Sequence, residues 1–338
     1  MGSYLLFILL VIITGTIGID FFYPLKRSIE MLSCLICSLI IANSLRTVEH
    51  LRALLKGVVS SSVILALILF LNNFNSQMMY FHFEDTGIGK NPSALYLFLG
   101  LSSCVFYSLI KKVNIVLLLL VSIFLFISIL MTGSLKIVIP SIVIVVYFLY
   151  LSALTDKIVY IVFVGIGILL GYVYWNNILT FFESNFINAL IDRILVLLGF
   201  EEYANTNLEF IEVRENLMHQ AVLIFKEHSL YGIGLENTRL VMGTYSHNTF
   251  IEILCGGGVF LFLAFLFFLT KSFCELLKTP NISFRNFSLF LFLCLLFIAN
   301  SMKIYSEQSC IVIFILLPSM VKLAFKVKTK KTTTKNEN

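Results

Sequence analysis

The chain has 338 residues, of which 59% are hydrophobic and only 13% charged, and its mean hydropathy is +0.97. A water-soluble domain is nearer a quarter charged, so composition excludes one and points to an integral membrane protein. The net charge of +5 comes largely from a lysine-rich end at 322–335, which suits anionic lipid headgroups better than nucleic acid.

The charges are clustered and leave long uncharged runs. A bilayer core takes about 20 apolar residues per helix, range about 17 to 25. Candidate spans on that measure are residues 3–19, 29–45, 57–71, 93–110, 115–131, 137–154, 158–175, 251–269, 288–302 and 307–323. The expected fold is an all-α polytopic membrane protein of about ten transmembrane helices. Residues 1–325 form one integral membrane domain and 326–338 a basic tail. The first span reads as a retained helix, because no Lys or Arg precedes it and no small-residue cleavage site precedes Asp20.

Orientation follows from where Lys and Arg fall. With ten helices and the N-terminus inside, one set of segments holds Arg46, Arg52, Lys56, Lys111, Lys112, Lys157, Lys271, Lys278 and Arg285. The six lysines from Lys322 to Lys335 raise that set to fifteen. The opposite short segments hold five: Lys26, Arg27, Lys90, Lys136 and Lys303. Both termini are therefore expected in the cytoplasm and the long polar segment 176–250 on the outer side. The seven cysteines are odd in number and none lies in that segment, so no disulfide framework is implied. Cys34 and Cys37 have C-x-x-C spacing inside an apolar helix, where a thiolate is costly, and they read as small core residues.

Two outer segments are long enough to carry function. In 72–92 stand Glu84 and Asp85, an acidic pair without the supporting cluster a metal site needs. The long segment contains two amphipathic helices. In 186–198, Ile187, Leu190, Ile191, Ile194 and Leu198 share a face, as in a helix lying in the interface. In 208–225, Ile211, Leu217, Met218, Ala221, Ile224 and Phe225 make an apolar stripe, with Arg214 on its first turn. Gly232 and Gly234 read first as a tight turn, whose backbone N–H groups would also suit phosphate if exposed. Arg239 and His247 lie on the return to the membrane.

The spans themselves hold almost no ionisable residue away from their ends, which counts against a proton-coupled transporter. Chemistry belongs at the outer face, where the ingredients fit transfer of a sugar from a lipid pyrophosphate. That bond releases an anionic pyrophosphate whose charge needs fixed cations or a metal. Arginine suits the task, being always charged and able to grip phosphate oxygens with two hydrogen bonds. Arg193, Arg214 and Arg239 share the segment, and Lys136 is a further candidate. The acceptor hydroxyl must lose a proton, and an imidazole is a suitable base near neutral pH. His247 is the candidate for that role, with Asn248 orienting it or binding a sugar hydroxyl.

The run Arg214-Glu215-Asn216, then Tyr231-Gly232-Ile233-Gly234-Leu235-Glu236-Asn237, then Ser246-His247-Asn248-Thr249-Phe250-Ile251-Glu252, followed by Gly256-Gly257-Gly258, resembles the bacterial O-antigen polymerases (Wzy) and the related O-antigen ligases. Two upstream segments are also similar: 87–97, a glycine and Asn-Pro stretch opening a helix, and Thr132-Gly133-Ser134-Leu135-Lys136. The chain departs from the family pattern at Leu135, where arginine is usual, and before Gly87, where no arginine stands.

The resemblance implies undecaprenyl-pyrophosphate-linked oligosaccharides as substrates, with metal-independent transfer and no cofactor, at the outer face of a bacterial inner membrane. It places Arg214 and Arg239 on the pyrophosphate and His247 on the acceptor. The expected function is polymerisation of oligosaccharide repeat units, with a chain-length regulator and a flippase as candidate partners besides membrane lipids. The alternatives are an O-antigen ligase that uses lipid A core as acceptor and a non-enzymatic glycolipid flippase. A flippase would need polar residues lining a cavity within the helices.

Overall fold

The computed structural model describes residues 2–72, 89–110, 114–155, 209–246, 248–300, 302–308, 311–321 and 323. Among these residues every regular element is a helix. In chain order they are α1 (Gly2–Ile17), α2 (Phe22–Ser44), α3 (Val48–Asn72), α4 (Lys90–Ile110), α5 (Ile115–Met131) and α6 (Leu135–Thr155). There follow α7 (Glu209–Glu227), α8 (Thr238–Met242), α9 (Thr249–Leu277), α10 (Ile282–Ala299) and α11 (Ile311–Val321). Helices thus occupy nine of the ten apolar runs among the described residues; the run 158–175 lies outside them. Four of them, α3, α4, α9 and α10, are long and apolar enough to cross a membrane. The chain is a helical membrane protein.

The chain divides into two compact units, Met1–Gly57 with Glu212–Asn338, and Val58–Ile211. In the second unit α4 packs on α5 and α6. Its residues from Ser93 to Tyr107 are almost all buried, as expected of a helix apolar on every side and surrounded by others. Gly100 lies against the Ser62 side chain, and Ser62 donates to the Tyr96 carbonyl at 3.1 Å. Small residues at that crossing let two helix backbones approach closely. Asn114 caps α5 by accepting from the Val116 and Leu117 amides.

In the first unit α1 packs against α2 and α9, and α9 against α10. Aromatic rings fill the seams. Tyr4 meets Phe268 at 5.0 Å and Phe7 meets Phe265 at 5.3 Å, while Phe314 of α11 contacts both Phe268 and Phe292. The opposite faces of α1 and α2 expose Leu5, Leu9, Ile13, Ile29, Ile36 and Ile40, which suits lipid rather than water.

A break in α9 positions everything that follows. Gly258 adopts φ 63°, ψ −167°, so the helix is interrupted there, about 14 Å along its axis from Thr249. An unbroken helix would join the Val259 amide to the Cys255 carbonyl. Here Val259 N–H donates instead to Ser229 O at 2.8 Å, Cys255 O accepts from Ile233 N–H at 3.0 Å, and Gly256 O accepts from Gly234 N–H at 2.7 Å. The segment 229–234 therefore satisfies the polar groups that the break exposes, as backbone inside a membrane protein requires. The glycines make the contact possible. A Cβ on Gly258 would come within 2.2 Å of the Leu230 carbonyl oxygen, and one on Gly232 within 2.4 Å of the Gly256 carbonyl carbon.

α7 closes over this joint. Ala221 and Ile224 pack on Cys255 and Ile233, and Cys255 Sγ donates to Ala221 O at 2.9 Å. Leu217, Ala221 and Ile224 of the expected stripe are buried, whereas Met218 is exposed together with Val222 and Leu223. The apolar surface of α7 is thus broader than one stripe.

Gly258→Ala should lower stability by about 2 kcal/mol or more, from a strained positive φ and a backbone clash. Gly57→Ala, with nothing near its Cβ position, should be neutral or stabilising by up to about 1 kcal/mol. Thermal unfolding of the detergent-solubilised variants checks the pair, and equal melting temperatures would contradict this account of the break.

Candidate functional site

The peptide of Ile233 is held on both sides. Its N–H bonds α9, and its carbonyl accepts from Ile19 N–H at 2.9 Å and from Asn237 Nδ2 at 2.8 Å. Asn237 Nδ2 also donates to Asp20 O at 2.8 Å. The 229–237 segment is thereby fixed between the α1–α2 connection and the broken helix. All three amides from Gly232 to Gly234 donate to carbonyls, those of His228, Cys255 and Gly256. The turn is a backbone joint, and those N–H groups are not available to phosphate.

The next residue but one after the turn is Glu236, buried and with φ 74°. Such a conformation is uncommon for a side-chain-bearing residue, and the Glu236 carboxylate meets three cations. Glu236 Oε1 accepts from Arg27 Nη2 at 2.9 Å, and Oε2 lies 3.1 Å from Lys303 Nζ and 3.2 Å from Arg239 Nε. The cations come from α2, from α8 and from the connection after α10. Arg27 also pairs with Glu30. The Tyr245 ring lies beside two of them, 4.3 Å from Lys303 Nζ and 5.8 Å from the Arg239 guanidinium carbon. Both are within reach of a cation–π attraction.

Glu236 is the carboxylate common to the three cations, while Arg27 is shared with Glu30. Burial alone would raise the Glu236 carboxyl, but Lys303 and Arg27, then Arg239, outweigh it and hold it below its ordinary 4.5. Lys303 is lowered, first by burial and further by the like charge of Arg239, against the pull of Glu236.

A second buried carboxylate ties the returning chain together. Glu252, on the first turn of α9, accepts from the Thr238 hydroxyl, from Ser246 N–H at 3.0 Å and from Ser246 Oγ at 3.0 Å. Thr238 precedes Arg239 and Ser246 precedes His247, so one side chain fixes the backbone next to both. Thr249 adds a further tie: its hydroxyl donates to Met302 O and accepts from Ile304 N–H at 2.9 Å. That tie anchors the Lys303 connection to the start of α9.

The expected site residues fall as follows. Arg239 is in the cation cluster, with its side chain 48% exposed. Asn248 caps α9 by accepting from the Phe250 and Ile251 amides, and its Nδ2 donates to Asn300 Oδ1 at 2.7 Å. Both ends of its amide thus have structural partners. Arg214 lies in α7, though its side chain is outside the described residues, as are Arg193, His247, Glu84 and Asp85. Lys136 is in the second unit, on the first turn of α6. There Ser134 donates to Asn91 Oδ1 at 2.8 Å, which joins the Thr-Gly-Ser segment to the Asn-Pro opening of α4. Among the described residues no group of three or more His, Cys, Asp or Glu side chains could hold a metal ion.

Sequence reasoning did not select Arg27, Glu236, Glu252 or Lys303. The signal that was available is positional: charge counting puts Lys26, Arg27 and Lys303 on the same side as the long segment. Isolated charges at helix ends carry no indication of which of them meet.

The Glu236 cluster sets a pH dependence. A carboxyl whose folded pKa is depressed stabilises the fold above its unfolded value, and the contribution is lost as pH falls through the folded value. Glu236→Gln should cost about 3 kcal/mol at pH 7, because it leaves Lys303 buried without its counter-charge. The gap from wild type should narrow as pH drops below 4.5, where protonation neutralises the native residue as well. Unfolding of both proteins in detergent across acidic pH reads this, and a gap independent of pH would refute it.

No protein-family model matches the chain, and no curated protein matches it.

Proposed function

We propose that this chain is a membrane glycosyltransferase that joins lipid-pyrophosphate-linked oligosaccharide repeat units at the outer face of a bacterial inner membrane. The observation that carries the reading is that Arg27 and Lys303 gather around Glu236 with Arg239, which lies in the chain leading to the start of α9. A concentration of fixed positive charge suits departure of an anionic pyrophosphate. The sequence resemblance to O-antigen polymerases supports the same class.

In this reaction the acceptor hydroxyl of an incoming repeat unit attacks the anomeric carbon of the growing glycan. The bond from that carbon to the pyrophosphate oxygen breaks, and its electron pair leaves with the lipid pyrophosphate. His247 takes the acceptor proton, while Arg239 and Arg214 hold the departing charge. Glu252 ties Thr238, beside Arg239, to Ser246, and Asn248 caps α9. Topology follows the lysine and arginine bias, with both termini in the cytoplasm.

Deletion of the gene, with the surface polysaccharide resolved on a gel, tests the reading. A polymerase defect leaves core bearing a single repeat unit. Bare core instead would indicate a ligase or flippase, and an unchanged ladder would exclude all three. Complementation with His247→Ala should lose about a hundredfold or more in polymer made, the scale of a general base. Arg214→Ala and Arg239→Ala should also fail to restore the ladder at normal protein levels. A normal ladder from any of the three removes the role given to that residue.

A further inference from the structure

We propose that Glu236 is the positioning residue of the diphosphate grip, holding the Arg239 guanidinium by its Nε so that the terminal nitrogens remain available to a diphosphate ester. The inference rests on the reading of a lipid-diphosphate substrate and adds to it a residue that contacts the ligand only through another.

The geometry divides the four side chains into two roles. Arg27 and Lys303 are largely shielded, with side-chain exposures of 17% and 7%, and both contact Glu236. They hold the carboxylate in place. Arg239 differs: its side chain is 48% exposed and its ion pair with Glu236 runs through Nε. Among the described residues Glu236 is the carboxylate shown in an ion pair with Arg239, and Nε is its nearest nitrogen. A guanidinium presents its donors in a rigid fork, so fixing Nε also fixes where the other two nitrogens point. A diphosphate ester reaching that exposed edge would meet the guanidinium with charge-assisted hydrogen bonds. The backbone supports this assignment, since Glu236 keeps a positive φ that few side-chain-bearing residues adopt. Such strain clusters where a fixed geometry serves binding.

A purely structural salt bridge would use the same contacts, so the test must separate the two. The full-length protein in detergent is titrated calorimetrically with farnesyl diphosphate, farnesyl monophosphate, farnesol and dioctanoyl phosphatidylglycerol. Arg239→Gln, at an exposed position that should not compromise folding, is expected to weaken farnesyl diphosphate by about tenfold or more, with farnesol unchanged. Glu236→Gln should weaken the diphosphate as well. In an Arg239→Lys background, which keeps the charge but has no Nε to hold, Glu236→Gln should add less than about a threefold further loss.

Additive losses in that double-variant cycle would overturn the positioning role. So would diphosphate affinity in Arg239→Gln within about threefold of wild type. Displacement of farnesyl diphosphate by an equal concentration of the phosphatidylglycerol would also overturn it, and would assign the cluster to lipid headgroups. The two readings fail separately. An unchanged ladder in the deletion strain removes the function and leaves the diphosphate grip standing, whereas a lost ladder with additive losses does the reverse.

Discussion

Backbone hydrogen bonding in a medium without water is the constraint on which the rest of this structure depends. α9 is broken at Gly258, and the groups freed by the break have to find partners inside the protein. The 229–234 segment provides them, through three backbone bonds to Val259, Cys255 and Gly256. That segment is consequently not a surface loop. It enters the helix packing, and through Ile233 and Asn237 it fastens the α1–α2 connection to α9. Everything carried immediately after it, Glu236, Thr238 and Arg239, inherits a fixed position from this joint.

Electrostatics then do what the backbone has made possible. Glu236 stands where cations from α2, α8 and the connection after α10 converge, and it is the common contact of all three. The buried pairing with Lys303 is strong in the sense that removing one partner is costly, not in the sense that the pair is worth much against an apolar substitute. Its value is geometric. It holds elements far apart in sequence at one end of the unit and leaves Arg239 half exposed. Glu252 and Thr249 add neutral ties around the same point, linking the chain on either side of the candidate base to α9 and to the Met302–Ile304 connection.

The two carboxylates differ in how they are satisfied. Glu252 is met by hydroxyls and an amide, and Glu236 mainly by charges. The first arrangement fixes backbone spacing. The second gathers three cations at a partly open edge.

Hydropathy by itself determined the membrane character and the places of the helices, because both depend on composition summed over local windows. Nine apolar runs are helical where the sequence expected spans, and α5 has the bounds of its uncharged run. Residue spacing also singled out Arg239 and the His247–Asn248 pair, since a motif is a local pattern. Tertiary structure alone decided what meets what. It joined Gly232 and Gly234 to Gly256 and Gly257 of α9, turned Asn248 into a helix cap, and brought Arg27 and Lys303 to Glu236. Those contacts link residues separated by up to 209 positions, and no local window of sequence contains both partners.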